Sequence, residues 1–560
     1  MKKLSYGLLF IAFLLFIPFS ASGQELIVED FFTSGMYLND VIAADTTATG
    51  GRLHTVYVLR RDGQYLINQV ITNADGWPLN IKAENGSGGK PVIQFANVPG
   101  GTTNPGYFTQ NSGDVWLKNL IIITYIESDP TQKGNMNNMI GTAAPGTNIA
   151  VDSCIFLNVD GQFVRTNSAA NTIKLTNCVF GNMGYEGSSN FGAGKGVDLR
   201  DGSCDTLLIQ NCTFVNVQDR VVRHYNSSAQ LNHLIFDHNT VVNSMAYHGM
   251  LSLGWVGERV RITNNLFVDP FAAMADSDYT RQLEFKTNET DPWGNNRMTW
   301  VFTDTAGNAS TNTDFQISNN YYAISDSGYA FYSRWVSGNP PFPSEFSSLP
   351  EGPALTWFIN SKLGADSVNA FMKDDNIALG NTPYLMTKLM DWYRTPVALG
   401  GAGKTKQTGN FTDDKDMDRR TYSYYQDTLD CTYPTSLPAY TGGWFGLPVG
   451  DLNWFPDKHI IWLTDVDEVD FTPTSFELYQ NYPNPFNPTT TMKFNLEESG
   501  LATLTVYNIL GQKVATILNE EMSVGIHKVT FDATSMSSGV YFYKLEAGKR
   551  VSVKKMMLLK

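Results

Sequence analysis

Between residues 52 and 325 apolar and polar positions alternate in short bursts, with no sustained helical spacing. Six of these bursts superimpose: 149–158, 173–182, 207–216, 234–243, 260–269 and 315–324. Each has two apolar positions one residue apart, then a polar bend, then a second run rich in β-branched and aromatic residues, as in Ile-Lys-Leu-Thr-Asn-Cys-Val-Phe-Gly-Asn from Ile173 to Asn182. A looser copy runs from Val115 to Ile123. Aligned, the copies place Leu120, Cys154, Cys178, Cys212, Asn239, Asn265 and Asn320 in one column, at spacings of 34, 24, 34, 27, 26 and 55 residues.

A unit of roughly 25 residues with two alternating strands cannot bury its own apolar face, but stacked copies can, each rung lying about 4.8 Å above the last. The longer spacings are then loops inserted at turns. The pattern predicts one coil of parallel strands from about Arg52 to Ala323, with the aligned column pointing inward. Asparagine suits the bends because its short side chain tolerates left-handed backbone, and Asn239, Asn265 and Asn320 would stack as an amide ladder. The arrangement resembles the right-handed parallel β-helix of pectate lyases and of alginate and chondroitin lyases. A β-sandwich is the alternative, and it would not repeat an in-register column.

The pattern changes after Ser325. Residues 326–461 keep no repeat, are rich in Trp and Tyr, and contain one predicted helix, Pro383–Tyr393. A coil ends in an open strand edge, so this segment is read as a C-terminal cap with returning loops. Residues 462–475, with Asp465-Val-Asp-Glu-Val-Asp470, read as a linker. From residue 476 six or seven short alternating runs predict a small immunoglobulin-like β-sandwich, giving an all-β chain. Gln480-Asn-Tyr-Pro-Asn-Pro-Phe-Asn-Pro488, Val506-Tyr-Asn-Ile-Leu-Gly-Gln-Lys-Val514, Ser538-Gly-Val-Tyr-Phe-Tyr-Lys-Leu-Glu-Ala-Gly548 and the closing Lys554-Lys-Met-Met-Leu-Leu-Lys560 resemble the C-terminal sorting domain of type IX secretion cargo in Bacteroidota-like bacteria. The resemblance spans 476–560 and implies handling by the type IX machinery, passage across the outer membrane, and release or attachment at the cell surface.

At the other end, Lys2 and Lys3 precede an uncharged run from Tyr6 to Phe19, and Ala21-Ser22-Gly23 follows. These are the parts of a secretory signal peptide over residues 1–23. The run is too short to cross a bilayer, and no later stretch is apolar enough, so no membrane span is expected in the mature chain, residues 24 onward.

Composition narrows the function. The 560 residues carry 54 acids against 40 bases, a net charge of −14, which argues against nucleic acid as a partner because phosphate binding needs a basic surface. Five cysteines cannot all pair; Cys154, Cys178 and Cys212 are read as stacked buried thiols, while Cys204 and Cys431 are unassigned. The chain has no CxxC or His/Cys cluster to suggest zinc, and the seven histidines, among them His224, His233, His238 and His248, read as turn and surface residues. Asp414, Asp416 and Asp418 alternate as in a calcium loop, but Arg419 and Tyr425 replace its Gly and Glu, which leaves a solvated acidic turn or a weak calcium site.

The second strand of each rung carries Phe163-Val-Arg165, Asp198-Leu-Arg200, Val221-Val-Arg223 and Glu284-Phe-Lys286. Arg165 and Arg223 each follow the column by eleven residues, whereas Arg200 and Lys286 need inserted loops to align. With Val164, Leu199, Val222 and Phe285 inward, Arg165, Arg200, Arg223 and Lys286 would form a solvent-facing basic strip, with Asp198 and Glu284 beside it. Guanidinium groups bind carboxylates bidentately, so a uronate polymer suits such a strip, with Arg165, Arg200, Arg223, Asp198 and Glu284 as substrate-binding residues. The lyase resemblance implies β-elimination, in which Arg223, Lys286 and Arg200 would neutralise the carboxylate and take the proton. A hydrolase would instead need a carboxylate pair, drawn from Asp198, Asp201, Asp219 and Glu284, and the sequence selects none. Two classes therefore stay open: a secreted protein that binds and cleaves acidic polysaccharide, and a non-catalytic surface adhesin in which the same bases only cover a sheet and pair with acids.

Overall fold

The computed structural model describes residues 25–47, 51–74, 77–97, 105–126, 138–159, 161–184, 194–200, 202–224, 229–246, 249–272, 297–301, 313–337, 354–355, 357–403, 429–465, 477–478, 481, 484, 486–496, 500–509, 511–522, 525–548 and 550–559. The leader (1–23), Glu284, Lys286, His248 and the acidic turn at 414–418 lie outside these residues. Contacts divide the chain after Trp462 into the coil with its cap and a C-terminal unit from Leu463 onward.

The coil is a parallel β-helix. Successive strands are dealt in turn to three sheets, here called I, II and III, of ten, ten and nine strands. One rung shows the rule: Cys204–Gln210 joins sheet I, Thr213–Val217 sheet II and Arg220–Arg223 sheet III. Each pairs in parallel with its counterpart one rung on, as in Leu207 with Leu234, Phe214 with Val241 and Val222 with Leu251.

Two columns of left-handed residues turn the chain at the corners. Between sheets I and II they are Asn119, Ser153, Asn177, Asn211, His238, Asn264 and Asn319, with φ between 50° and 58°. Between sheets II and III they are Asn158, Asn182, Asn216, Asn243 and Asp269, with φ between 48° and 64°. The left-handed residue at the first corner stands one position before the aligned column, so Leu120, Cys154, Cys178, Cys212, Asn239, Asn265 and Asn320 come out of the bend pointing into the core, all fully buried. The column's asparagines form the ladder: Asn239 Nδ2 donates to Asn265 Oδ1 (3.1 Å) and Asn265 Nδ2 to Asn320 Oδ1 (2.8 Å). The same carbonyls also accept the backbone N–H groups of Asn239 and Asn265. The five cysteines are free thiols and all are buried. Above them Phe156, Phe180 and Phe214 stack ring on ring in sheet II, with centroids 5.5 and 4.6 Å apart.

Strands join the coil outside the stretch Arg52–Ala323 at both ends, at the N-terminal side within residues 24–325, the span expected for the β-helix domain. Glu25–Val28 precedes the first rung and pairs with Val56–Leu59, while the helix Leu38–Ala44 buries Leu38 and Ile42 in the core. At the far end the cap returns strands: Ala354–Leu355 adds to sheet III and Phe371–Lys373 to sheet II. Phe358, on the helix Trp357–Leu363, meets Phe315 of the last sheet I strand edge-on at 6.2 Å. The repeat hides these strands because they are two and three residues long and arrive after a helix, Asp326–Ser337. The helix predicted over 383–393 is present as Leu385–Arg394. Its first N–H groups are capped by the second corner: Asn216 Oδ1 accepts from Leu385 N, and Asn243 Oδ1 from Met386 N (2.8 Å). Residues 429–455 form a strap whose Leu429, Cys431, Tyr433, Ala439 and Val449 pack on Val215, Val242, Leu266 and Val268 of sheet II.

The C-terminal unit is antiparallel, with one sheet of three strands and one of four around Phe494, Leu504, Val506, Tyr543, Leu545 and Met556.

Candidate functional site

Sheet III carries the basic residues, but in a different register from the one predicted. Arg165 pairs with Asp198, Asp198 with Arg223 and Arg223 with Ser252. The place expected for Arg200 is taken by Asp198; Arg200 lies two residues further on, past the strand end, and is exposed. The inward partner of Val164 and Val222 is correspondingly Val197, and Leu199 is buried one step later. Counting from the column misplaces this rung because the insertion between Met183 and Lys195 lies inside it, upstream of the strand.

A second column, Gln162–Lys195–Arg220, stands three residues earlier. Strict alternation would put positions three apart on opposite faces. Here two consecutive residues of each strand enter the core, Phe163 with Val164 and Val221 with Val222, so the strand bends and the flanking columns emerge on the same side. Gly196 permits the close approach at this bend, since a Cβ there would lie 2.5 Å from the Val221 carbonyl oxygen. Lys195 and Arg220 were missed by sequence reasoning for this reason; the repeated basic or amide residue three before Arg165, Asp198 and Arg223 was the available signal.

The two columns form one cluster. Lys195 Nζ lies 3.1 Å and Arg220 Nε 3.0 Å from Asp219 Oδ2. Arg220 Nη1 donates to Ser252 Oγ (2.9 Å), and Arg223 Nη1 to Asp198 Oδ2 (3.2 Å). Arg165 Nη1 donates to Gln162 Oε1 across the columns (3.1 Å). Asp198 and Asp219 are fully buried, Lys195 and Arg220 nearly so, while Arg165 and Arg223 are half-buried. This is a packed ionic cluster with a guanidinium rim, where a solvent-facing strip was predicted. Burial lowers the basicity of the Lys195 ammonium against the pull of Asp219. Asp198 Oδ1 is buried and has no hydrogen-bond partner among the described residues.

Beneath the cluster His224 is buried too, as are His233 and His238, contrary to the surface placement expected for them. Side chains leaving a bend enter the core or the tight corner beside it, which counting along the chain does not reveal. His224 Nδ1 lies 2.8 Å from the Leu253 carbonyl oxygen; a carbonyl only accepts, so Nδ1 carries the proton and Nε2 keeps its lone pair. Burial depresses the basicity of this ring.

In chemical terms four cations, Arg165, Lys195, Arg220 and Arg223, face two carboxylates, Asp198 and Asp219, on an acidic chain. Among the described residues no three His, Cys, Asp or Glu side chains converge as a metal centre.

In the C-terminal unit the motif residues are structural keys. Asn481 N donates to the buried Tyr543 hydroxyl (2.7 Å), Asn484 Oδ1 accepts from Met557 N (2.8 Å), and Phe486 is buried against Phe531. Residues 480–559 match the family model described as the secretion system C-terminal sorting domain. The unit is a type IX secretion sorting domain. The protein that carries this sorting domain is secreted or held at the cell surface, and no helix among its described residues is long and apolar enough to cross a membrane. Among curated proteins, none matches the sequence.

Proposed function

We propose that this type IX cargo binds an acidic polysaccharide on the outer face of sheet III. The observation that carries the reading is the excess of cations over carboxylates where Gln162–Lys195–Arg220 and Arg165–Asp198–Arg223 run side by side. Asp219 and Asp198 hold Lys195, Arg220 and Arg223 in place, and the half-exposed edges of Arg165 and Arg223 meet the ligand. A planar guanidinium matches a carboxylate or sulfate in two parallel hydrogen bonds. Exposed Arg200 extends the basic rim, and Lys286 and Glu284 belong to the same reading through the sequence alone. An N-terminal leader over residues 1–23 takes the chain across the inner membrane, and the sorting domain takes it across the outer one.

The test is a titration of the mature protein with polygalacturonate, alginate and chondroitin sulfate at low and high salt. Arg165→Ala keeps the Asp198–Arg223 pair intact and is the cleaner variant; Arg223→Ala removes the central cation. Each is expected to weaken binding and to make what remains less sensitive to salt, because fewer charges are then screened. Isotherms identical to wild type for both variants would refute the reading. Following the ultraviolet absorbance of unsaturated product in the same samples separates cleavage by β-elimination from binding alone, the outcome that fits a surface adhesin.

A further inference from the structure

The corner between sheets I and II has one anomalous residue. Its left-handed positions are filled by Asn at 119, 177, 211, 264 and 319 and by Ser at 153, the small polar residues that this backbone favours, but by histidine at 238, with φ 50°. Histidine, like Asn, is among the side chains that adopt this conformation, and its placement shows what its ring supplies. His238 Nδ1 lies 3.1 Å from Asp237 Oδ2. Asp237 is itself fixed by Gln210 Nε2 (2.9 Å), Thr263 Oγ1 (2.6 Å) and Asn264 Nδ2 (2.8 Å). In the neutral tautomer that places Nδ1–H on the carboxylate, Nε2 carries the lone pair; it is buried and has no hydrogen-bond partner among the described residues.

Two more orphaned atoms belong to the same corner. Asn211, one rung below and 1% exposed, has a buried Oδ1 without a partner among the described residues. His459, on the helix Pro456–Asp465, has a buried Nε2 that is likewise unpartnered among the described residues, and it lies within electrostatic reach of His238 and Asp152. The two imidazoles pack on the same indole, Trp462, with ring centroids at 6.2 Å for His238 and 5.7 Å for His459. Asn453 Nδ2, donating to the Asn211 carbonyl at 3.0 Å, brings the chain that carries His459 down onto the corner.

We propose that this corner binds a divalent transition-metal ion, Zn²⁺ foremost, through His238 Nε2 and His459 Nε2, with Asn211 Oδ1 and solvent completing the shell. A carboxylate that orients one ring nitrogen of a ligating imidazole is the usual outer support of such sites, and imidazole selects Zn²⁺, Cu²⁺ and Ni²⁺ over Ca²⁺ and Mg²⁺. The site lies between sheets I and II, away from the sheet III cluster. Its effect is to clamp the C-terminal helix of the coil unit to the rungs, just before the sorting domain begins.

The experiment uses the full mature chain without a histidine tag, with Zn²⁺ followed by calorimetry and Co²⁺ by its visible absorption. His459→Ala removes a partly exposed ligand from a helix. His238→Asn installs the residue that this corner uses on five other rungs and so preserves the fold. The expected result is one equivalent of tightly bound Zn²⁺, a nitrogen-ligated Co²⁺ spectrum, and an affinity at least about tenfold weaker in either variant, on the scale by which disturbing a site's supporting shell weakens metal binding. The absence of stoichiometric binding in the wild type, with only a buried water between the rings, overturns the proposal. So does binding that survives both substitutions unchanged.

Discussion

Asp451 is a carboxyl group with no cation against it among the described residues. It sits in the strap over sheet II, fully buried, accepting from Thr213 Oγ1 (2.7 Å) and from Asn453 N and Nδ2 (2.9 and 2.7 Å). Burial outweighs these donors and pushes its pKa up to about 7. The folded protein therefore binds a proton that the unfolded chain, titrating near the ordinary value of about 4, has released. The sign follows: between about pH 4 and pH 7 the native state holds more protons, so stability falls as pH rises through that window. Urea midpoints measured at about pH 5 and about pH 8 should be lower at the higher pH, and Asp451→Asn should remove most of that difference, up to a few kcal/mol. A wild type and variant with the same pH dependence would refute this account. Nothing in the sequence marks Asp451, because the strap's approach to sheet II is a long-range contact. His238 is the opposite case: a histidine where its aligned neighbours are Asn can be read from the repeat once the left-handed position is known.

The second corner joins the coil to its cap. Asn243 Oδ1 accepts from Met386 N and Thr387 N, and its Nδ2 donates to Thr387 Oγ1, so one side chain caps the helix Leu385–Arg394 while its own backbone is left-handed. Two substitutions separate these roles. Asn243→Gly keeps the backbone at ease and loses the cap, costing about 1–2 kcal/mol. Asn243→Ala loses the cap and adds left-handed strain, costing about 1 kcal/mol more. Equal urea midpoints for the two variants would show that the corner tolerates a Cβ and that capping alone matters. The rungs themselves were legible in advance, because the inward column repeats in residue type and spacing. The bend in sheet III was not: the adjacent apolar pairs Phe163-Val164 and Val221-Val222 do not show which of the two points inward, and the insertion before Lys195 carries Asp198 well past the place that counting eleven from Cys178 gives. The cap was invisible for a simpler reason, since Ala354–Leu355 and Phe371–Lys373 are too short to leave a pattern.

The chain separates folding from delivery. The coil unit has its own core, and the sorting unit has another built on Phe494, Tyr543 and Leu545. Removing residues 476–560 should therefore leave a folded coil that remains in the periplasm of a host with the type IX machinery, as fractionation and immunoblotting would show; normal appearance of the truncated protein outside the cell would refute the role of the tail.

The closing strands of the coil also set an order in time. In a chain that emerges from its N-terminus each parallel rung can settle on the one before it, and at every stage the newest strand offers unpaired N–H and C=O groups. For sheet II that edge stays open until Phe371–Lys373 arrives, about fifty residues after Asn320–Ala323. Until then, two half-delivered copies present identical, mutually compatible edges. The interval is the one during which a periplasmic holding factor would matter most, and chains cut short within it are the ones that should stack end to end.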